Sequence, residues 1–142
     1  MFINRVYNNT SKNLHIVRID GIDLENLGLC LDKDYELKFK QEEEIELKYI
    51  AGRDMPYHKK IRNLPIEFSI IFNLKETVDF YERIDNIKTF LNNSKEKLIT
   101  FNNENKGFKI YWVSLGEINR IKGQSKVTIN FMCYPIIESV TI

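Results

Sequence analysis

The chain has 142 residues, 43% of them hydrophobic and 29% charged, a balance that suits one domain around one core and excludes a disordered chain. Its 21 Lys and Arg nearly cancel its 20 Asp and Glu, so the basic surplus that supplies nucleic-acid affinity is missing. The N-terminus lacks the charged start and apolar run of a signal peptide, and runs such as Ile70-Ile71-Phe72 fall far short of the roughly 20 residues that span a bilayer. A soluble chain made in a cytoplasm, with no membrane insertion, is expected.

Phe2 to Tyr7 alternates loosely and reads as a first strand; residues 8–13 are a polar turn cluster. Leu14, Ile16 and Ile19 make a second strand, a hairpin partner of the first. Asp20-Gly21 signals a tight turn, because Gly accepts positive φ without steric cost. Ile22 to Asn26 reads as one irregular helical turn, after which Gly28 opens a strand with Leu29, Cys30 and Leu31. From Asp32 to Lys40, Tyr35, Leu37 and Phe39 share one side. Ile45, Leu47 and Tyr49 repeat that period opposite Glu44, Glu46 and Lys48. Both segments predict strands with one wet face. The run Glu42-Glu43-Glu44 is most simply a solvated turn, an acidic contact surface being the alternative.

Residues 50–60 break the alternation. They hold Gly52, Arg53, Asp54, Met55, Pro56, Tyr57, His58, Lys59 and Lys60, a composition rich for a plain turn and typical of loops that carry function. From Ile61 one long extended segment resumes, with Leu64, Ile66, Phe68 and Ile70 on one face; Pro65 within it demands an edge position or a bulge. A helix is predicted over Lys75 to Asn92, where Val78, Tyr81, Ile84, Ile87 and Leu91 form an apolar stripe. Asp79, Glu82, Asp85 and Lys88 lie opposite, and Asn73 with Glu76 supplies a capping box.

Strands follow at Leu98 to Phe101, Phe108 to Leu115 and, after a turn at Gly116, Glu117 to Ile121. Lys122 to Ser125 is a hairpin signal. Val127, Ile129, Phe131 and Cys133 then alternate until Pro135 stops the strand. The order strands, helix, strands implies an α+β fold: one domain over 1–142, an antiparallel β-sandwich with one amphipathic helix at about 75–92.

Chemistry is sparse. His15 and His58 lie far apart with no cysteine beside them, so no metal site is expected. Cys30 and Cys133 read as buried apolar fillers. No G-x-S-x-G occurs, and the six glycines form no phosphate-cradling loop. Asp20 with Asp23, or Asp32 with Asp34, could stage acid–base work, but turn residues bonding their own backbone is the simpler reading. Arg53-Asp54 could be a surface ion pair, an inter-subunit contact or a ligand clamp. Trp112 on its strand reads as core, with an interface anchor as the alternative. No catalytic residue and no cofactor are expected.

An ordered set of landmarks resembles the N-terminal domain of the phage distal tail protein family of long-tailed phages. Ile19-Asp20-Gly21-Ile22-Asp23-Leu24-Glu25-Asn26-Leu27-Gly28-Leu29 is similar to its "NG-x-D-L-x-x-L-G-L" opening, with Asp20 for the usual Asn. Ala51-Gly52-Arg53-Asp54 is similar to its "PGRDG" loop, where Ala51 and Met55 depart from the flanking Pro and Gly. Ile66 to Phe72 resembles the strand before the family's helix, Thr89-Phe90-Leu91 the helix end, and Leu98-Ile99-Thr100-Phe101 its "L-I-F" strand. Phe131-Met132-Cys133-Tyr134-Pro135 resembles the "F-x-C-x-D-P" ending without its Asp. Gly21, Gly28 and Pro135 are thus fold landmarks.

The resemblance implies a non-enzymatic virion structural protein of a phage, prophage or tail-like particle, with a tail-tube-like fold. It implies a hexameric ring at the tail tip, joining tube to baseplate. The implied partners are further copies of itself, the tail tube protein, the tape-measure protein and hub or tail-associated proteins, with DNA only passing through the lumen. Gly52, Arg53, Asp54, Met55, Tyr57 and His58 are the inter-subunit contact candidates. Many members carry a second, carbohydrate-binding-like domain; with the chain ending at Ile142, that domain and direct sugar binding are not expected. The chain then reads as a short form, a fragment or a relative from a tail-like bacteriocin particle. Three other readings compete: a tail tube or other hub ring subunit, a sugar-binding module with Trp112, Tyr57 and His58 lining a site, and, least favoured, an enzyme using Asp20 and Asp23.

Overall fold

A computed structural model describes residues 16–32, 36–75, 79–102 and 104–140. The expected first strand, its hairpin, Asp34, Tyr35, Glu76 and Val78 lie outside them. Nine strands are described: β1 (Val17–Ile19), β2 (Ile22–Asp23), β3 (Leu29–Leu31), β4 (Glu43–Lys48), β5 (Tyr57–Asn63), β6 (Ile66–Lys75), β7 (Leu98–Phe101), β8 (Lys106–Asn119) and β9 (Gln124–Ser139). A 3-10 helix covers Leu24–Leu27, and the α-helix α1 covers Phe80–Asn92. Seven strands form one antiparallel sheet in the order β2-β1-β7-β8-β9-β6-β3, while β4 and β5 form a separate two-stranded ribbon. The class is the expected α+β, mostly antiparallel sheet with one helix.

Period-two alternation builds the core. β6 turns Ile66, Phe68, Ile70, Phe72 and Leu74 inward, and β9 turns Val127, Ile129, Phe131 and Cys133 the same way. On this face α1 lays Phe80, Ile84, Ile87 and Leu91, and the 3-10 helix adds Leu24. The opposite face carries Ser69, Asn130 and Thr128; the Ser69 hydroxyl bonds Asn130 Oδ1 at 2.6 Å. Asp20-Gly21 makes the predicted tight turn, with φ of 55° and 78° between the paired residues Ile19 and Ile22. Asp23 caps the 3-10 helix by accepting from the Glu25 N–H at 3.0 Å, as a turn acid does, and Gly28 ends it at φ 85°.

Several elements differ from the sequence reading. The helix starts at Phe80, not Lys75. Asn73 stays in the ladder between Cys30 and Lys126, so it cannot cap, and Asp79 takes the N-cap position. Phe80 replaces Tyr81 on the buried stripe, Tyr81 being 72% exposed. Trp112 is half exposed rather than core. A bulge between Ile110 and Trp112 inserts Tyr111, so Ile110 and Val113 point inward and both aromatics point outward. Gly116 is no turn: β8 runs through it, with a further irregularity between Leu115 and Ile118. Pro135 does not stop β9 but sits within it, past the end of β6 pairing, where a missing N–H costs no ladder bond to β6.

Residues 36–40 form no strand beyond a single bridge from Lys40 to Glu67. Phe39 instead docks edge-on against Phe68, ring centroids 5.1 Å apart. Glu43 and Glu44 begin β4 rather than a turn, though they stay solvated and pair with Lys60 and Arg62. The segment after Ile61 is two strands, broken at Leu64-Pro65. Cys133 is buried as expected, but Cys30 is exposed, on the outer side of the edge strand β3.

Candidate inter-subunit surface

The contact candidates gather on one structure, the β4–β5 ribbon and its tip, which we call the arm. The arm is a strand pair, not the loop that residues 50–60 suggested: Tyr57, His58, Lys59 and Lys60 all lie in β5. The chain turns at its tip with Arg53 N–H donating to Ile50 O at 3.2 Å and Gly52 at φ 84°. The Arg53 guanidinium stacks on the Tyr57 ring, 4.0 Å from its centroid, rather than pairing with Asp54. Met55 is 72% exposed and Tyr49 74%.

Cross-strand register sorts the arm into two faces. Ile45 lies opposite Lys60 and Leu47 opposite His58, so Ile45, Leu47 and Tyr49 make an apolar row with two basic partners. The other face pairs Glu46 with Lys59 and Glu44 with Arg62, the last at 3.0 Å. Among the described residues neither face is covered: Ile45 is 47% exposed and Leu47 45%. A lone two-stranded ribbon is at best marginally stable in water, so these side chains call for a covering surface.

A second open region lies at the end of β9. β6 pairs with β9 only as far as Ile66 opposite Cys133, while Ser139, Glu138 and Ile137 pair, among the described residues, with β8 alone. Ile136 and Ile137 are each 64% exposed there. Beside them, on the outer face, a groove of about 780 Å³ is lined by Arg18, Asp20, Lys97, Thr100, Lys109 and Glu138, among others. Gly107 pairs with two of these, Thr100 and Glu138, and a Cβ on it would run into the Ile99 carbonyl oxygen. Tyr111, Trp112 and Tyr134 lie near this end: Lys95 Nζ stands 3.7 Å over the Trp112 ring, and the Tyr134 hydroxyl donates to Glu96 at 2.7 Å. That bond, with a smaller part from burial, raises the Tyr134 pKa.

Trp112 therefore stands on the large sheet and Tyr57 and His58 on the arm, and the groove is lined by none of the three. Burial pushes the Cys133 thiol up to about 12; burial first, then Glu25 and Asp23, also raises Cys30. Neither thiol has the lowered pKa of a nucleophile. Among the described residues no three His, Cys, Asp or Glu side chains cluster to hold a metal ion, and no helix is long and apolar enough to cross a membrane.

The crystal structure of the Dit protein (gp 19.1) of phage SPP1 is similar to this chain, with a TM-score of 0.62 and 20% identity. The fold is of the phage distal tail type. That protein is described as a paradigm of the hub adsorption apparatus in phages infecting Gram-positive bacteria. The match covers 87% of this chain and 51% of the Dit chain, so this chain spans about half the length of its structural neighbour. No family model matches the sequence, and no curated protein does. Sequence reasoning singled out the residues that the structure gathers at the tip and on β5, and did not single out the end of β9. Ile136 and Ile137 carried the only signal, an apolar pair after a proline.

Proposed function

We propose that this chain is a non-enzymatic structural subunit of a phage tail or tail-like particle. It forms a hexameric ring at the distal end of the tail tube and connects the tube to the baseplate or tip. The observation that carries this reading is the arm: an exposed two-stranded ribbon with an apolar row, on a fold of the distal-tail type. Copies joined head to tail through unlike surfaces close into a ring when the rotation per copy fits. The near balance of 21 basic and 20 acidic residues suits close packing of many copies and a lumen through which DNA passes without sticking. In this reading the tail tube, tape-measure and hub proteins are the neighbours above and below, and the protein resides in the virion tail.

Solution mass by light scattering, followed by electron micrographs, tests it. A mass of six chains and six-fold rings support the reading; a strictly monomeric protein at high concentration overturns it. Long stacked cylinders in the same micrographs would favour a tail tube subunit on this fold.

A further inference from the structure

We propose that the aromatic patch of Tyr111, Trp112 and Tyr134, with the groove beside it, is a binding site for an uncharged oligosaccharide. The set is not Trp112 with Tyr57 and His58, which the fold places on two separate sheets. It stands independently of the ring reading, because every residue in it belongs to one copy. Three observations carry it. First, the β8 bulge aims two consecutive aromatics at the outer face, where strict alternation would send one of them inward. Tyr111 is 52% exposed and Trp112 51%. Tyr134 on β9 stands edge-on to Tyr111, ring centroids 5.6 Å apart. Large rings gathered at a surface mark a place where something stacks. A pyranose has a face of C–H groups that is apolar and faintly positive, and the face of an aromatic ring is negative.

Second, hydrogen-bonding groups of both kinds are fixed around these rings. Residues 94–97 form a turn in which the Lys97 N–H donates to Ser94 O at 3.1 Å. This turn is tied to β8 twice: the Glu96 N–H donates to Ile110 O at 2.6 Å, and the Ile110 N–H to Lys97 O at 2.8 Å. Glu96 takes φ 67°, a conformation uncommon outside glycine. So held, the turn sets the Glu96 carboxylate at the Tyr134 hydroxyl and Lys95 over Trp112. Each sugar hydroxyl both donates and accepts, so a carboxylate next to ammonium groups engages neighbouring hydroxyls of one sugar. An exposed cation–π contact is weak, so Lys95 yields the ring face and turns its ammonium to the ligand.

Third, the groove continues from the rings. Glu96 and Lys109 line it, and both also reach Tyr134, Lys109 Nζ lying 5.9 Å from the ring centroid. Its volume of about 780 Å³ is that of a small-molecule site. Three basic side chains in its lining face four acidic ones, and Lys97 lies 4.0 Å from Asp20. A lining so nearly balanced has no surplus to draw a polyanion, whose affinity comes from neutralised phosphates. A neutral chain of hydroxyls matches it.

Trp112 is the chain's one tryptophan, so its fluorescence reports on the patch directly. The full chain is titrated with maltohexaose, cellohexaose and hexa-N-acetylchitohexaose, and with polyphosphate as the charged probe. A saturable shift with at least one hexasaccharide, and none with polyphosphate, supports the proposal. Calorimetry with that sugar then compares variants, with circular dichroism checking each fold. Trp112→Ala and Tyr111→Ala should each raise Kd about ten-fold or more, and Glu96→Gln several-fold. Ile45→Ser, on the arm, should leave Kd unchanged. Silence with all three hexasaccharides overturns the proposal, whether or not rings form. Binding of polyphosphate alone also overturns it, as does an affinity that Trp112→Ala and Tyr111→Ala leave unmoved. If Trp112→Ala fails to fold, Tyr111→Ala decides. A monomer that binds the sugar upholds this site while the ring reading falls.

Discussion

Replacing Ile45 and Leu47 together by serine isolates the arm's contribution to assembly. The two side chains are 47% and 45% exposed in the single chain, so about half of each remains to be covered by a neighbour. Full burial of a side chain of this size contributes about 1.5–3 kcal/mol, which leaves about 1 kcal/mol apiece for the covered half. The double variant should therefore weaken each inter-subunit contact by about 2 kcal/mol, a Kd higher by about 30-fold. The fold itself should hardly notice, because neither residue belongs to the buried cluster; a change within about 0.5 kcal/mol is expected in urea unfolding. Sedimentation velocity over a concentration series reads the association, and circular dichroism reads the fold. Assembly at the wild-type concentration would refute the reasoning, as would a loss of assembly that merely follows unfolding.

Arg53→Ala removes the stack on Tyr57 and should weaken the ring while leaving the monomer's melting unchanged; unchanged ring stability in sedimentation would count against a role for the tip. Trp112→Ala should cost less than about 1 kcal/mol in urea, the scale of an exposed cation–π contact, where a core tryptophan would cost about 3–5. Gly107→Ala should cost more than about 3 kcal/mol in the same assay, because the added Cβ meets the Ile99 carbonyl oxygen and must push β8 off β7. The Cys133 thiol is held neutral in the fold up to about pH 12 but ionises near its ordinary value of 9.0 once unfolded. The unfolded state then holds fewer protons between those values. Stability should accordingly fall as pH rises through this window, at up to about 1.4 kcal/mol per pH unit, and less steeply in Cys133→Ala.

Alternation in the sequence reported the core well wherever a strand kept one residue per position. Val127, Ile129, Phe131 and Cys133 are all buried, as period two requires, and Leu98 to Phe101 is a strand as read. It misled wherever the backbone changed parity. Tyr111 is an extra residue with no mark in the sequence, and it moved Trp112 from the inner face to the outer. Long-range pairing overrode local signals elsewhere. Asn73 with Glu76 has the spacing of a helix start, yet partners on both sides hold Asn73 in β6. The arm residues were legible because Gly52, Arg53 and Tyr57 break the pattern around them. That they stand on a separate ribbon was not, since Ile45, Leu47 and Tyr49 alternate just as a half-buried strand does. Local periodicity carries no record of which surface lies beneath it.

The elbow at Leu64-Pro65 joins the arm to β6, and it is braced twice. Leu64 N–H donates to Glu42 O at 2.8 Å across the arm's root, and Lys40 bridges to Glu67 just beyond. Proline fixes its own φ and confines the residue before it to extended backbone, so this joint has few ways to bend. In the proposed ring, a strut held at a set angle would dictate the step from each copy to its successor. The number of copies completing that circle would then follow from the stiffness of two residues far from the tip, and Pro65→Gly would let particles of mixed circumference form.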